Sequence, residues 1–257
     1  MTSTNQSGTV RSIIENGIGT ITFFHPQSNS LPGELLRKLA IEITAMGSNT
    51  LAKVIILKSE GDKAFCAGAS FDELLSLDTL EKGKKFFSGF AEVINAMRKA
   101  PKFIIVRVQG KAVGGGVGII ASADYAFALE ISSVKLSELA VGIGPFVVGP
   151  AVERKIGLSA FSSLSINATE WKNVSWAREK GLYAEIFSTI IELDNVLKIL
   201  ADKLATSNPE AMAMLKKVSW KDSENWDTLL QERAEISGKL VLSDFTRQAI
   251  NKFKAKI

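Results

Sequence analysis

The sequence predicts an α/β fold with a helical C-terminal region. Through the first half of its 257 residues, short apolar runs of strand type alternate with stretches of helical periodicity, the pattern of helices packed on sheet. Beyond about Ala151 the periodicity is almost wholly helical. With 46% hydrophobic and 23% charged residues, the chain has an ordinary globular composition and enough length to bury one sizeable core.

The elements follow in order. Residues 18–24 (Ile-Gly-Thr-Ile-Thr-Phe-Phe) alternate like a half-buried strand, which His25-Pro26 ends. Residues 32–46 place Leu35, Leu36, Leu39, Ile43 and Met46 at helical spacing behind Pro32. The run Val54-Ile-Ile-Leu57 is a buried strand, and Gly61-Asp62-Lys63 a turn. Residues 71–80 and 86–98 predict helices, with Pro101 separating the second from a strand at 103–108. Strands follow at 125–128 and 133–136, and amphipathic helices at 196–204, 209–218 and 226–240. The expected division is an α/β core over 1–200 and a helical region over 201–257. In the latter, Trp226, Leu229, Leu230, Ala234, Ile236 and Leu240 form a stripe for the chain's own core or for another subunit.

Composition excludes several classes of chemistry. The single cysteine, Cys66, permits no intrachain disulfide or cysteine-rich metal site. The single histidine, His25, excludes histidine-cluster zinc sites and HExxH motifs, and before Pro26 it is expected to be a loop residue. No serine stands in a GxSxG elbow. The net charge of +4 is spread without a basic block, so nucleic acid is not an expected partner. Residues 1–8 lack an apolar signal core, and no apolar stretch is long enough to span a bilayer. No membrane partner and a cytoplasmic location are expected.

Three segments could carry chemistry. In Val113-Gly-Gly-Gly-Val-Gly118, three adjacent glycines expose bare backbone at a strand-to-helix junction, where main-chain N–H groups can reach a ligand oxygen. A tight packing turn is the plainer reading of such a run alone. In Lys63-Ala-Phe-Cys-Ala-Gly-Ala-Ser70, a second small-residue turn opens a helix with Ser70 as its N-cap. Two N–H donors converging on one oxygen make an oxyanion hole. The third segment holds Glu138, with Leu136 before it and Leu139, Ala140 and Val141 after. Facing a cleft, this carboxylate would have its pKa raised by desolvation towards the range useful for proton transfer; facing outward, it would be solvated.

At these segments the chain resembles the crotonase superfamily, the enoyl-CoA hydratase/isomerase family, from about residue 18 to 185, followed by a helical tail of the expected length. The resemblance implies a crotonase-like spiral of ββα units and an acyl-CoA thioester substrate, with coenzyme A entering as part of the substrate and no further cofactor or metal. It places the oxyanion-hole donors at Ala69 and Gly115, within a CoA-ester site that includes Lys63, Ala67, Gly68 and Gly114. Lys63 would lie near the CoA phosphates, and the backbone around Ala67 near the adenine. It also implies trimers, often paired as hexamers, with the tail in the contacts.

One departure bears on the reaction. Hydratases of the family hold water between two glutamates; here the second is matched by Glu138, but the first position is Gly118. The segment Gly142-Ile-Gly-Pro-Phe146 looks like that of Δ3,Δ2-enoyl-CoA isomerases, which work with the single glutamate. Isomerisation by Glu138 is therefore favoured narrowly over hydration, including that of methylglutaconyl-CoA, and over decarboxylation. A non-catalytic RNA-binding protein on this scaffold is the alternative of another class. A glutamate placed at position 118 is expected to raise hydration.

Overall fold

A computed structural model describes residues 8–254, so the polar segment 1–7 lies outside the described residues. A six-stranded sheet is built from β1 (Thr9–Glu15), β2 (Ile18–Phe24), β3 (Val54–Ser59), β5 (Ile104–Val108), β7 (Tyr125–Leu129) and β10 (Glu185–Phe187), in that order. From β2 onward neighbouring strands run parallel, while β1 is antiparallel to β2. A second sheet takes β4 (Ala64–Cys66), β6 (Lys111–Val113), β8 (Ser133–Lys135) and β9 (Lys172–Asn173), with β9 antiparallel.

Successive turns of chain share one plan. A long strand of the first sheet leads to a short strand of the second, and then to a helix: β3–β4–α2 (Phe71–Ser76), β5–β6–α4 (Gly115–Ala121) and β7–β8–α5 (Gly149–Ile166). This is a spiral of ββα units. Helices α1 (Gly33–Ser48) and α3 (Leu80–Lys99) also belong to the body. Then come α6 (Val174–Glu179), α7 (Ile190–Ala205), α8 (Pro209–Ser219), α9 (Trp226–Leu240) and α10 (Asp244–Lys254).

The strands Val54–Ser59 and Ile104–Val108 are nearly continuous in apolar residues because both their faces are covered. Leu35, Leu36, Leu39 and Ile43 of α1 and Phe86, Phe87, Phe90, Val93 and Ile94 of α3 fill one large core. Trp226, Leu230 and Ala234 of α9 enter that same core. There α9 lies against α3 at a pair of glycines: a Cβ on Gly83 would stand 2.6 Å from the Gly238 carbonyl oxygen. Further along, Lys216 of α8, only 2% exposed, pairs with Asp124 at 2.9 Å. Its Nζ donates to the Lys102 carbonyl, while Asp124 accepts from the Ile104 N–H and the Trp220 indole N–H. This buried polar network ties the helical segment to the strands.

Several elements differ from the sequence expectation. The helix expected over 71–80 stops at Ser76, and the one expected from 86 begins at Leu80, where the Thr79 side chain accepts from the Lys82 N–H. The charged turn Glu81-Lys82-Gly83-Lys84-Lys85 faces largely outward and masks the helical period. Strand β1 escapes periodicity because five of its seven residues are exposed. Beyond Ala151 the elements are helices except for two short strands that periodicity did not mark: β9 closes the second sheet, and β10 pairs with β7. Among the described residues no helix is long and apolar enough to cross a membrane.

Candidate active site

Strands β4, β6 and β8 are parallel neighbours, so the segments that leave their C-terminal ends emerge side by side. Those segments are the turn Ala67–Ala69, the glycine run from Gly114, and Leu136–Glu138. One cavity is lined by Ala67, Gly68, Ala69, Gly114, Gly115 and Glu138. Six of the seven site residues expected from sequence are thereby brought together. Lys63 does not line this cavity; it sits exposed on the turn before β4.

The backbone at this edge requires glycine twice. Gly68 has φ +85°, and a Cβ there would stand 2.9 Å from the Val113 carbonyl oxygen and 3.7 Å from the Gly115 nitrogen. Gly114 has φ +52° and donates to the Lys135 carbonyl at 2.9 Å. A Cβ on Gly114 would lie 2.7 Å from Glu138 Oε1, so only bare backbone lets the carboxyl lie against the run. Gly115 is the first residue of α4, and its N–H precedes the first intrahelical bond. Ala69 opens into α2, where Ser70 caps the helix by accepting from the Glu73 N–H.

Glu138 is half-buried as a residue, but its carboxyl end is enclosed. Its Oε2 has no hydrogen-bond partner among the described residues. Burial pushes the pKa from 4.5 up to about 7, partly opposed by a bond from the residue's own backbone. A carboxyl near neutrality, aimed into an apolar cavity, can take and return a proton at physiological pH.

Nearby groups have other tasks. Glu73 Oε2 accepts from the Gly33 N–H at 2.7 Å, capping α1, and Asp72 accepts from the Gln27 amide. Cys66 is fully buried, accepts weakly from the Gly68 N–H, and has its thiol pushed up to about 12 by desolvation. His25 stays in its loop beside the Ser30 hydroxyl, and burial lowers its pKa.

Val141 and residues 143–146, read in the sequence for their place after Glu138, also line the wall. The sequence gives no sign of its other parts: Phe87 and Phe90 from α3, Val147 and Val148 before α5, and Ser237 from α9. The i, i+4 spacing of Phe86 and Phe90 in α3 marked a buried face, but not that this face borders a cavity. Val148 also corrects the expectation for position 118. A Cβ on Gly118 would lie 2.5 Å from Val148 Cγ1 and 2.7 Å from Val148 Cβ. The valine cannot swing away as a flexible chain would, so a glutamate does not fit there while Val148 is present.

A model of the family described as Enoyl-CoA hydratase/isomerase matches residues 13–256. The chain is 26% identical over 245 residues to the short-chain-enoyl-CoA hydratase of Clostridium acetobutylicum, covering 94% of this chain and 93% of that protein. It is 24% identical over 239 residues to the peroxisomal Delta(3,5)-Delta(2,4)-dienoyl-CoA isomerase of Arabidopsis thaliana, covering 87% and 84%. Among solved structures, the enoyl-CoA hydratase from Bacillus halodurans superposes with a TM-score of 0.87 at 23% identity, covering 95% of this chain and 99% of that one.

Proposed function

The chain belongs to the enoyl-CoA hydratase/isomerase family, the crotonase superfamily, and from that premise we propose that it moves the double bond of a 3-enoyl-CoA to the 2,3 position. One observation carries the choice: a single enclosed carboxyl, Glu138, lies against the glycine run, and the space beside Gly118 is filled by Val148. Hydration needs a water held as well as a proton moved, and among the described residues the wall offers no second acid.

In this reading the thioester oxygen accepts from the Ala69 and Gly115 N–H groups. The ionised Glu138 carboxylate removes a proton from C2. The electron pair left behind delocalises over C2, C3 and C4 and onto the thioester oxygen as a dienolate, where the two N–H donors stabilise the charge. Glu138 then returns the proton to C4, leaving the double bond between C2 and C3. Lys63, on the exposed turn, is assigned to the CoA phosphates, and Ala67, Gly68 and Gly114 to the thioester arm. A trimer or paired hexamer in the cytoplasm completes the proposal; exposed Ile131, Leu139, Leu158 and Ile166 support an assembly.

The test is a panel of 2-enoyl- and 3-enoyl-CoA esters scored separately for water addition and double-bond migration. Migration should dominate, and Glu138→Gln should lower it by about 100-fold or more while CoA-ester binding persists. Full turnover by Glu138→Gln would sink the assignment, and dominant water addition would replace isomerase by hydratase.

A further inference from the structure

We infer that the acyl group this site accepts is short and uncharged, and that Val148 sets its length; the inference rests on the enoyl-CoA reading above. The cavity is partly open to solvent and offers water-sized groups about 50 Å³. A single water-sized group needs roughly 10–15 Å³ by this measure, so the cavity holds about three to five heavy atoms. That matches an acyl chain of about four or five carbons.

The direction in which the cavity ends follows from α4. Gly114 and Gly115, beside the Glu138 carboxyl, stand at its start, and Gly118 lies about one helical turn further on. Val148 closes the space against Gly118, and is itself buried at the entry to α5. Phe90 closes the other side: a Cβ on Gly115 would run into its ring. A chain leaving the thioester past Glu138 therefore meets a branched side chain within a few carbons.

The lining excludes a terminal charge. Among the described residues on the wall, Glu138 is the only ionisable side chain, and the others are apolar residues, glycines, Pro145 and two serines. An ω-carboxylate would be desolvated without a cation and placed beside an acid. Methylglutaconyl-CoA is therefore a poor ligand for this chain.

Turnover is compared for but-3-enoyl-, hex-3-enoyl- and dec-3-enoyl-CoA. In parallel, calorimetry measures binding of butyryl-, hexanoyl-, decanoyl- and 3-methylglutaconyl-CoA. The four-carbon ester should exceed the six-carbon ester in kcat/KM by about tenfold or more, the discrimination that one or two misplaced methylenes produce. Val148→Ala should raise the six-to-four-carbon ratio by about tenfold. Because methylglutaconyl-CoA is already a 2-enoyl ester, charge exclusion is read from binding: by calorimetry it should bind at least about tenfold more weakly than hexanoyl-CoA, which has the same number of acyl carbons. Equal turnover or affinity for the ten-carbon ester, binding of methylglutaconyl-CoA as tight as that of hexanoyl-CoA, or an unchanged length profile in Val148→Ala would each overturn the inference. If no ester reacts but butyryl-CoA still binds more tightly than decanoyl-CoA, the short pocket stands and the proton-transfer reading falls.

Discussion

Replacing Glu138 by glutamine keeps the outline of the side chain and removes its titration. Enclosure holds the native carboxyl at about 7, against 4.5 for an exposed glutamate. Below pH 4.5 both native and unfolded chains carry the proton, and the group contributes nothing to the pH dependence. Between pH 4.5 and 7 the unfolded chain loses the proton while the native chain keeps it. Native stability therefore falls by about 1.4 kcal/mol per pH unit. Above pH 7 both are ionised, and the accumulated penalty levels at about 3 kcal/mol. The glutamine variant escapes this penalty, so its stability relative to the parent should rise by about 2–3 kcal/mol between pH 5 and pH 8. Urea unfolding of both proteins at unit steps across that range reads the difference. Any extra contact made by the amide adds a constant and leaves the slope intact. A difference that is flat with pH, or that shrinks as pH rises, would refute the assignment of an enclosed, proton-retaining carboxyl.

The same titration bears on the proposed activity. With the ionised form as the proposed base, kcat/KM for double-bond migration should climb through an apparent pKa near 7 and then level, as a pH–rate profile will show. Gly118→Glu alone should cost about 1–3 kcal/mol of stability through overlap with Val148 and give no gain in hydration of crotonyl-CoA. Because an alanine at 148 would keep the Cβ that stands 2.7 Å from the added one, relief needs Val148→Gly, and that double variant should regain part of the stability and acquire measurable hydration. Lys216→Met removes the ammonium paired with Asp124 at 2.9 Å but leaves Lys155 and Arg154 near that carboxylate, and should destabilise by about 1–3 kcal/mol in urea titration, with kcat per folded molecule unaltered.

The alternation of apolar runs with helical periods made the parallel sheet legible, because strands buried on both faces, such as Val54–Ser59, have few competing explanations. The short strands Ala64–Cys66 and Lys111–Val113 were hidden: at three residues each, they are defined by pairing with one another rather than by any period. Yet these two strands, with Ser133–Lys135, bring Ala69, Gly115 and Glu138 to one edge. The site's residues could be named from chemistry and resemblance, but their meeting point is a product of topology. Phe87, Phe90 and Val148 show the converse. Each reads as an ordinary core residue, and nothing local distinguishes a side chain that fills a core from one that bounds a cavity within it. The filling of the space beside Gly118 has the same origin, since it depends on a residue thirty positions away.

The glycine-to-glycine approach of α3 and α9 bears on how the cavity keeps its dimensions. Where two helix backbones touch without intervening side chains, a side chain added at either glycine would force the helices apart, so their separation is set by backbone contact. Phe87 and Phe90 stand one to two turns from Gly83 on the first helix, and Ser237 directly precedes Gly238 on the second. The C-terminal segment thus acts as a caliper on the cavity wall. Under the proposed function, substitutions far along the chain that loosen this clasp should change the width of the pocket and with it substrate preference, through a helix that contributes no reacting group.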